Sequence, residues 1–306
     1  MSEISAATVS EWLKNYSAVI SEHANELTDL DRQIGDADHG SNMARGMTAV
    51  AALDPEPFAS AAGLLKKAGM TLVSTVGGAS GPLYSTFFLR LSTVIKTDGE
   101  PTAQLLADAL DAGLAGIVAR GKAEVGDKTL VDALSPAVDA AKQVAADDGS
   151  AAEALAKAAE AANEGRDATI EMVARRGRAS YLGERSKGHQ DPGATSMALL
   201  VASAAHCLSG DNDDSDATAV SAAIEKVGNC DGILVLVDIG SAILSAEMAL
   251  DLLDADIASK VKISTAPLVE GAVVAAVMAS TGAELEVVAA EAEKALDPKV
   301  SQLSND

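Results

Sequence analysis

The sequence predicts a mainly α-helical protein: an antiparallel assembly of helices followed by a small α/β segment. Three observations carry this expectation. Over the first two thirds of the chain, apolar residues recur at three- and four-residue steps. Aromatic residues make up only 2% of 306 residues while alanine is abundant, which suits helices packed through small side chains better than a large β domain. Near Ser209 the pattern changes, and short continuous apolar runs of strand length appear beyond it.

The elements follow in order. Residues 7–29 read as one helix, with Val9, Trp12, Leu13, Tyr16, Val19, Ile20 and Ala24 on its apolar face. Asp31 to Ser41 breaks that pattern with Gly35 and Gly40, and a new helix is expected from Ser41 or Asn42 to about Leu53. Helices are expected over 60–76, 82–96, 102–119, 129–147, 150–174 and 192–208, about eight in all. Leu106, Leu110, Leu114 and Ile117 stripe one face of the segment 102–119. The polar stretch 209–216 reads as an acidic linker. Ile233 to Val237 then suits a buried parallel strand. It is followed by Asp238, Gly240 and Ser241 and a helix. Val261 to Ser264, Pro267 and a helix from about Val269 repeat the step. Residues 217–298 thus form a small α/β segment, with 299–306 as a tail.

The formal net charge is −22, which disfavours nucleic acid and anionic membrane surfaces as partners. An anionic ligand needs metal ions or a local basic patch to reverse the field. Two cysteines, Cys207 and Cys230, make no disulfide framework. Neither a signal peptide nor an apolar run of membrane-spanning length is apparent, so a cytoplasmic protein is expected.

Four segments carry chemistry. Asp31, Asp36 and Asp38 place three carboxylates within eight residues, beside two glycines that permit sharp turns. A divalent cation would relieve their mutual repulsion, and an all-oxygen donor set suits magnesium. An acidic turn with capping aspartates fits the same spacing. Gly77-Gly78-Ala79-Ser80-Gly81-Pro82 precedes a helix, where exposed amides can hold phosphate oxygens or simply make a tight turn. The run from Gly121 to Thr129 approaches a phosphate-binding loop, but Asp127 is one residue too many and no strand precedes it. Between Arg175 and Lys187, 5 of the 23 basic residues fall within 13 positions, which could serve an anionic ligand or surface ion pairs. Of the four histidines, His39 and His189 lie in these segments, while His23 and His206 sit on expected helices.

Together these segments resemble the nucleotide-binding L subunit of dihydroxyacetone kinase. The motifs are DRQIGDADHGSNMARG, GMTLVSTVGGASGPLYSTFF, RGKAEVGDKT and RRGRASYLGERSKGHQDPGATS, ordered along residues 1–208. The resemblance implies an antiparallel eight-helix barrel for 1–208 with a nucleotide, ADP or ATP, at one end. It implies that Asp31, Asp36 and Asp38 hold two Mg2+ ions and act with Arg178 in catalysis. His39, Gly40, Ser41 and Asn42 then continue the nucleotide loop. Ala79, Ser80, Gly121, Leu130, Arg178, Asp191, Pro192 and Gly193 map onto nucleotide contacts. It also implies a separate K subunit that holds dihydroxyacetone covalently, and a homodimer is compatible with it.

Residues 217–298 resemble the C-terminal part of the phosphocarrier M subunit, related to mannose-type IIA domains, through DGILVLVDIGSAILSAEMALDLL and KISTAPLVEGAVVAA. The first strand and phospho-accepting histidine of that subunit have no counterpart, since no histidine follows His206. Phosphohistidine chemistry is therefore not expected of this segment, and the loss leaves the integrity of its sheet open. The expectation is a phosphotransferase subunit that passes a phosphoryl group to dihydroxyacetone and is recharged on bound ADP by a phosphocarrier M protein. Exchange with free ATP, and a nucleotide-sensing module without turnover, are the alternatives.

Overall fold

The computed structural model describes residues 3–208, 214–228, 230–237 and 240–295. By internal contacts the chain divides into two compact units, 1–210 and 211–306.

The described residues of the first unit form nine α-helices: α1 (Ala6–Glu22), α2 (Ala24–Ile34), α3 (His39–Ala51), α4 (Ala61–Thr75), α5 (Ser80–Val94), α6 (Ala103–Gly121), α7 (Leu130–Ala146), α8 (Ala151–Ala168) and α9 (Pro192–Leu208). Five begin where a hydroxyl residue caps them: Ser5 for α1, Ser60 for α4, Thr102 for α6, Thr129 for α7 and Ser150 for α8 each accept an amide of the first turn. Packing runs from α3 through α4, α5, α6, α7 and α8 to α9. Helix α1 lies against both α3 and α9 and closes the circuit, and α2 rests against α3 and α9. The core is apolar, with Tyr16, Tyr84, Phe87 and Phe88 its largest ring-bearing residues at full burial. Buried polar ends find partners: Trp12 Nε1 donates to Ser203 Oγ at 3.0 Å and Tyr16 Oη to Ser196 O at 2.9 Å.

The structure corrects the expected boundaries in three places. The segment 7–29 is two helices, because the chain turns at His23, a position marked by neither glycine nor proline. The second helix runs on to Ile34 and the next starts at His39, so Asp31 stands on the last turn of α2 rather than in a loop. The helix expected over 150–174 ends at Ala168. A 3-10 turn, Thr169–Glu171, follows, and the basic strip forms a second one, Arg178–Ser186.

In the second unit α10 (Asp214–Lys226) begins inside the stretch expected to be a linker, whose residues 209–213 lie outside the described residues. Then follow β1 (Ile233–Leu236), α11 (Gly240–Leu252), α12 (Ala255–Ala258), β2 (Val261–Ser264), α13 (Leu268–Ser280) and α14 (Leu285–Glu293). Asp238 and the tail 299–306 also fall outside the description. The strands pair in parallel, with Ile233 opposite Val261 and Leu236 opposite Ser264. Ile224, Ile233 and Leu253 centre a small core beneath them. The described sheet has these two strands. Among the described residues, no helix is long and apolar enough to cross a membrane.

Candidate functional site

The loop between α2 and α3 is four residues long, Gly35 to Asp38, and its sequence dictates its shape. Gly35 lies so close to Asp31 that a Cβ there would sit 2.0 Å from Asp31 Oδ1. Gly40 lets α3 cross α2 closely, since a Cβ would meet Ala24 O at 1.9 Å. Ala37, between two aspartates, is held at φ 62°, where a side chain is strained. The Asp31 carboxylate receives the amides of Asp38 and His39 at 2.8 and 3.2 Å, placing negative charge at the start of α3. The result gathers Asp31, Asp36 and Asp38 so that one carboxylate oxygen from each lies within 4.8 Å of the others. The donors are hard oxygens, the chemistry that suits a magnesium-class cation.

His39 does not join that donor set. Its Nε2 lies 2.8 Å from Ser196 Oγ and its Nδ1 3.2 Å from Ser80 Oγ. Ser196 Oγ donates to Gly193 O at 3.1 Å and also meets the Tyr84 hydroxyl at 2.7 Å. With the serine proton so committed, its lone pairs take the Nε2 proton of His39 and the Tyr84 proton, leaving Nδ1 to accept from Ser80. Burial pushes the His39 pKa below the ordinary imidazole value, against the pull of Asp31 and Asp38. A neutral, oriented imidazole therefore ties the aspartate loop to the glycine turn.

Two adjoining cavities open at this end of the first unit. The polar one, about 200 Å³, is lined by Asp31, Asp36, Asp38 and His39, by Gly77 to Ser80, by Lys128 to Leu130, by Arg176 to Ala179 and by Asp191 to Gly193. The other, about 630 Å³, shares Ala79, Thr129, Leu130, Arg176 and Gly177. It adds Pro82, Leu83, Ile117, Arg120, Gly121, Ala123 and Val131, so it is largely apolar. The larger falls within the usual range of small-molecule sites, about 300–1,000 Å³, and the polar one extends it. A ligand charged at one end and apolar at the other suits the pair.

The basic strip reaches this cleft in part. Arg178 pairs with Asp36 at 3.1 Å, and Arg176 with Asp127 at 3.4 Å. His189 instead turns to Gln33, and Lys187 to Glu171. Asp191 caps the start of α9, receiving the Ala194 amide at 2.7 Å. Its burial is the main cause of a pKa raised from 3.8 to about 7, with the Ala194 amide opposing and Asp132 adding to the rise.

Of the residues expected from sequence, the aspartate trio, His39, Ala79, Ser80, Leu130, Arg178, Asp191, Pro192 and Gly193 line the polar cavity, and Gly121 the apolar one. Gly40, Ser41 and Asn42 do not line either. Gly40 packs on α2, Ser41 donates to Asp38 O at 3.0 Å, and the Asn42 side chain meets Arg45 beside Gly77. They shape the first turn of α3. Sequence reading mapped no specific contact onto Lys128, Thr129, Arg176, Gly177 and Arg120, although the quoted motifs contained all five. Thr129 had a signal, as a hydroxyl residue at a helix start.

Fold and site together define a helical domain with a two-part cleft that gathers three carboxylates at its polar end. The chain belongs to the DAK2 domain family, which matches residues 33–206. A second family, PTS system fructose IIA component, matches residues 200–289. Among curated relatives, the PEP-dependent dihydroxyacetone kinase, ADP-binding subunit DhaL, of Escherichia coli K12 is 44% identical over 199 residues, covering 65% of this chain and 95% of that protein. The corresponding kinase 1 subunit of Listeria innocua is 45% identical over 191 residues, covering 62% and 90%. Among solved structures, the dihydroxyacetone kinase from C. freundii in complex with AMP-PNP and Mg2+ aligns with a TM-score of 0.50 at 28% identity. That alignment covers 65% of this chain and 34% of that one.

Proposed function

We propose that the chain is the ADP-binding subunit of a phosphoenolpyruvate-dependent dihydroxyacetone kinase, acting in the cytoplasm. The carrying observation is the cluster of Asp31, Asp36 and Asp38 at the polar end of the two-part cleft, facing Arg178 and the glycine turn. The trio would hold two Mg2+ ions, whose chemistry is charge neutralisation and polarisation of the phosphoryl oxygens. The chain's own groups do the rest. Amides at the start of α5, at Ala79 and Ser80 in the lining of the polar half, would bind phosphate oxygens. Arg178 exchanges Asp36 for phosphate, and Leu83, Ile117, Leu130 and Val131 take the base. His39 orients Ser80 without adding charge.

The names of the relatives support ADP as the nucleotide, and the IIA-like match over 200–289 supports supply from a phosphotransferase system. In this reading the phosphoryl group reaches bound ADP from a phosphocarrier M protein and leaves it for dihydroxyacetone on a K subunit. Purified chain, K subunit and dihydroxyacetone, fed either by a phosphoenolpyruvate-driven relay or by ATP, tests this. The proposal predicts dihydroxyacetone phosphate from the relay with ADP only stoichiometric with the chain. Product from ATP alone, with rapid exchange of bound ADP, would favour an ATP-exchanging kinase. No product from either donor would favour a sensing module.

A further inference from the structure

The run Gly121–Thr129 is not a phosphate-binding loop, and the geometry shows where its lysine goes instead. Lys128 is 1% exposed, and its backbone is held at φ 63°. Its ammonium lies within hydrogen-bonding distance of four main-chain carbonyls, those of Thr169, Met172, Ser186 and His189, at 2.8, 3.2, 2.7 and 2.5 Å, with its three N–H groups shared among them. None of the four is a carboxylate. A buried ammonium shared among carbonyl dipoles acts as a fixed cation does in an all-oxygen cage. It gives each of these carbonyls a buried partner, Thr169 O accepting the Met172 amide at 3.1 Å besides.

The four acceptors are placed tellingly. Thr169 and Met172 stand where α8 stops, Ser186 ends the second 3-10 turn, and His189 is two residues before Asp191. Between the first pair and the second pair lie Arg176, Gly177 and Arg178, which line the polar cavity. On the other side of Lys128, Thr129 and Leu130 line the same cavity and open α7. One ammonium thus gathers the ends of the loop that carries the arginines and ties them to the opposite wall. A second clip runs in parallel: Asp127 O accepts the Arg175 amide at 3.0 Å, and its carboxylate meets Arg176. Burial lowers the lysine's pKa, while Asp191 and Glu171 pull it back up.

We infer that Lys128 is a positioning residue for nucleotide binding, an internal cation whose carbonyl cage sets the loop 169–191 so that Arg176, Arg178 and Asp191 face the ligand. The inference rests on the nucleotide reading of the cleft.

The test is Mg2+–ADP titration by calorimetry of the full chain and Lys128→Ala, with and without n-propylammonium, which replaces the atoms removed. Loss of supporting partners around ion sites costs roughly 10- to 100-fold in affinity, and that is the weakening expected for the variant. n-Propylammonium is expected to restore most of it, and tetramethylammonium, which carries the charge but no N–H, is expected not to. A variant that folds only with n-propylammonium supports the inference equally. Unchanged affinity in Lys128→Ala would overturn it. So would a loss that n-propylammonium leaves intact, or a variant that stays unfolded in its presence. If the unaltered chain fails to bind Mg2+–ADP, the nucleotide reading falls and the inference with it. Normal binding by both chains sinks the positioning role alone.

Discussion

Replacing Asp36 by asparagine separates a metal site from an ordinary acidic turn, because the two readings predict opposite signs. The substitution keeps shape and removes one charge from a trio whose oxygens lie within 4.8 Å of one another. At that separation a like-charge pair costs about 1 kcal/mol in a water-like medium and about 3 kcal/mol at an effective dielectric of 20. Asp36 is partly exposed and faces two such neighbours, so solvent screening keeps the relief near the lower figure for each. Loss of the Arg178 pair subtracts about 0–1 kcal/mol, as expected for an exposed ion pair. The free protein should therefore gain about 1 kcal/mol, read as a higher urea midpoint at constant slope. In saturating Mg2+–ADP the order should invert. At a ligand concentration near 100 times Kd the unaltered chain gains about 2.7 kcal/mol, and the variant should gain almost nothing. A variant less stable than the parent without ligand, or stabilised as much by Mg2+–ADP, would refute the reasoning.

Three further outcomes follow from the same geometry. Asp191 holds its proton to about pH 7 in the folded chain against 3.8 as the reference value. Between those values the native state binds more protons than the unfolded one, so this residue's contribution to stability is present at low pH and lost as pH rises through 7. Asp191→Asn, which keeps a helix-capping oxygen, should flatten the fall in urea stability between pH 5 and 7 by some kcal/mol; an unchanged slope would contradict the assignment. Gly35→Ala drives a methyl into Asp31 Oδ1 and should cost about 1–3 kcal/mol of stability together with metal-dependent binding; a neutral result in thermal denaturation would argue against the loop geometry. Ala37→Gly should stabilise the chain by up to about 1 kcal/mol by releasing the left-handed strain, read as a higher urea midpoint, and a lowered midpoint would count against it.

Much of this was legible in the sequence wherever the determinant is local. The helix starts near 60, 102, 129 and 150 followed from apolar spacing, and Ser60, Thr102, Thr129 and Ser150 cap them through amides only two or three residues on. The aspartate trio could be read because like charges crowded beside glycines need a reason. Non-local effects stayed hidden. The turn at His23 has no breaker residue, so the apolar stripe runs through it. Helix α8 stops early, where the carbonyls of Thr169 and Met172 turn to a lysine some forty residues upstream in sequence. The chain from Ser80 through His39 to Ser196 and Tyr84 joins helices that are distant in sequence, and no spacing rule reveals it.

Metal-dependent ADP binding at the aspartate cluster is measured by calorimetric titration of the chain with ADP, with Mg2+ and then with chelator. One tight site is expected that requires Mg2+ and disappears in Asp36→Ala. Binding of equal strength with chelator present, or unchanged in the variant, would contradict it.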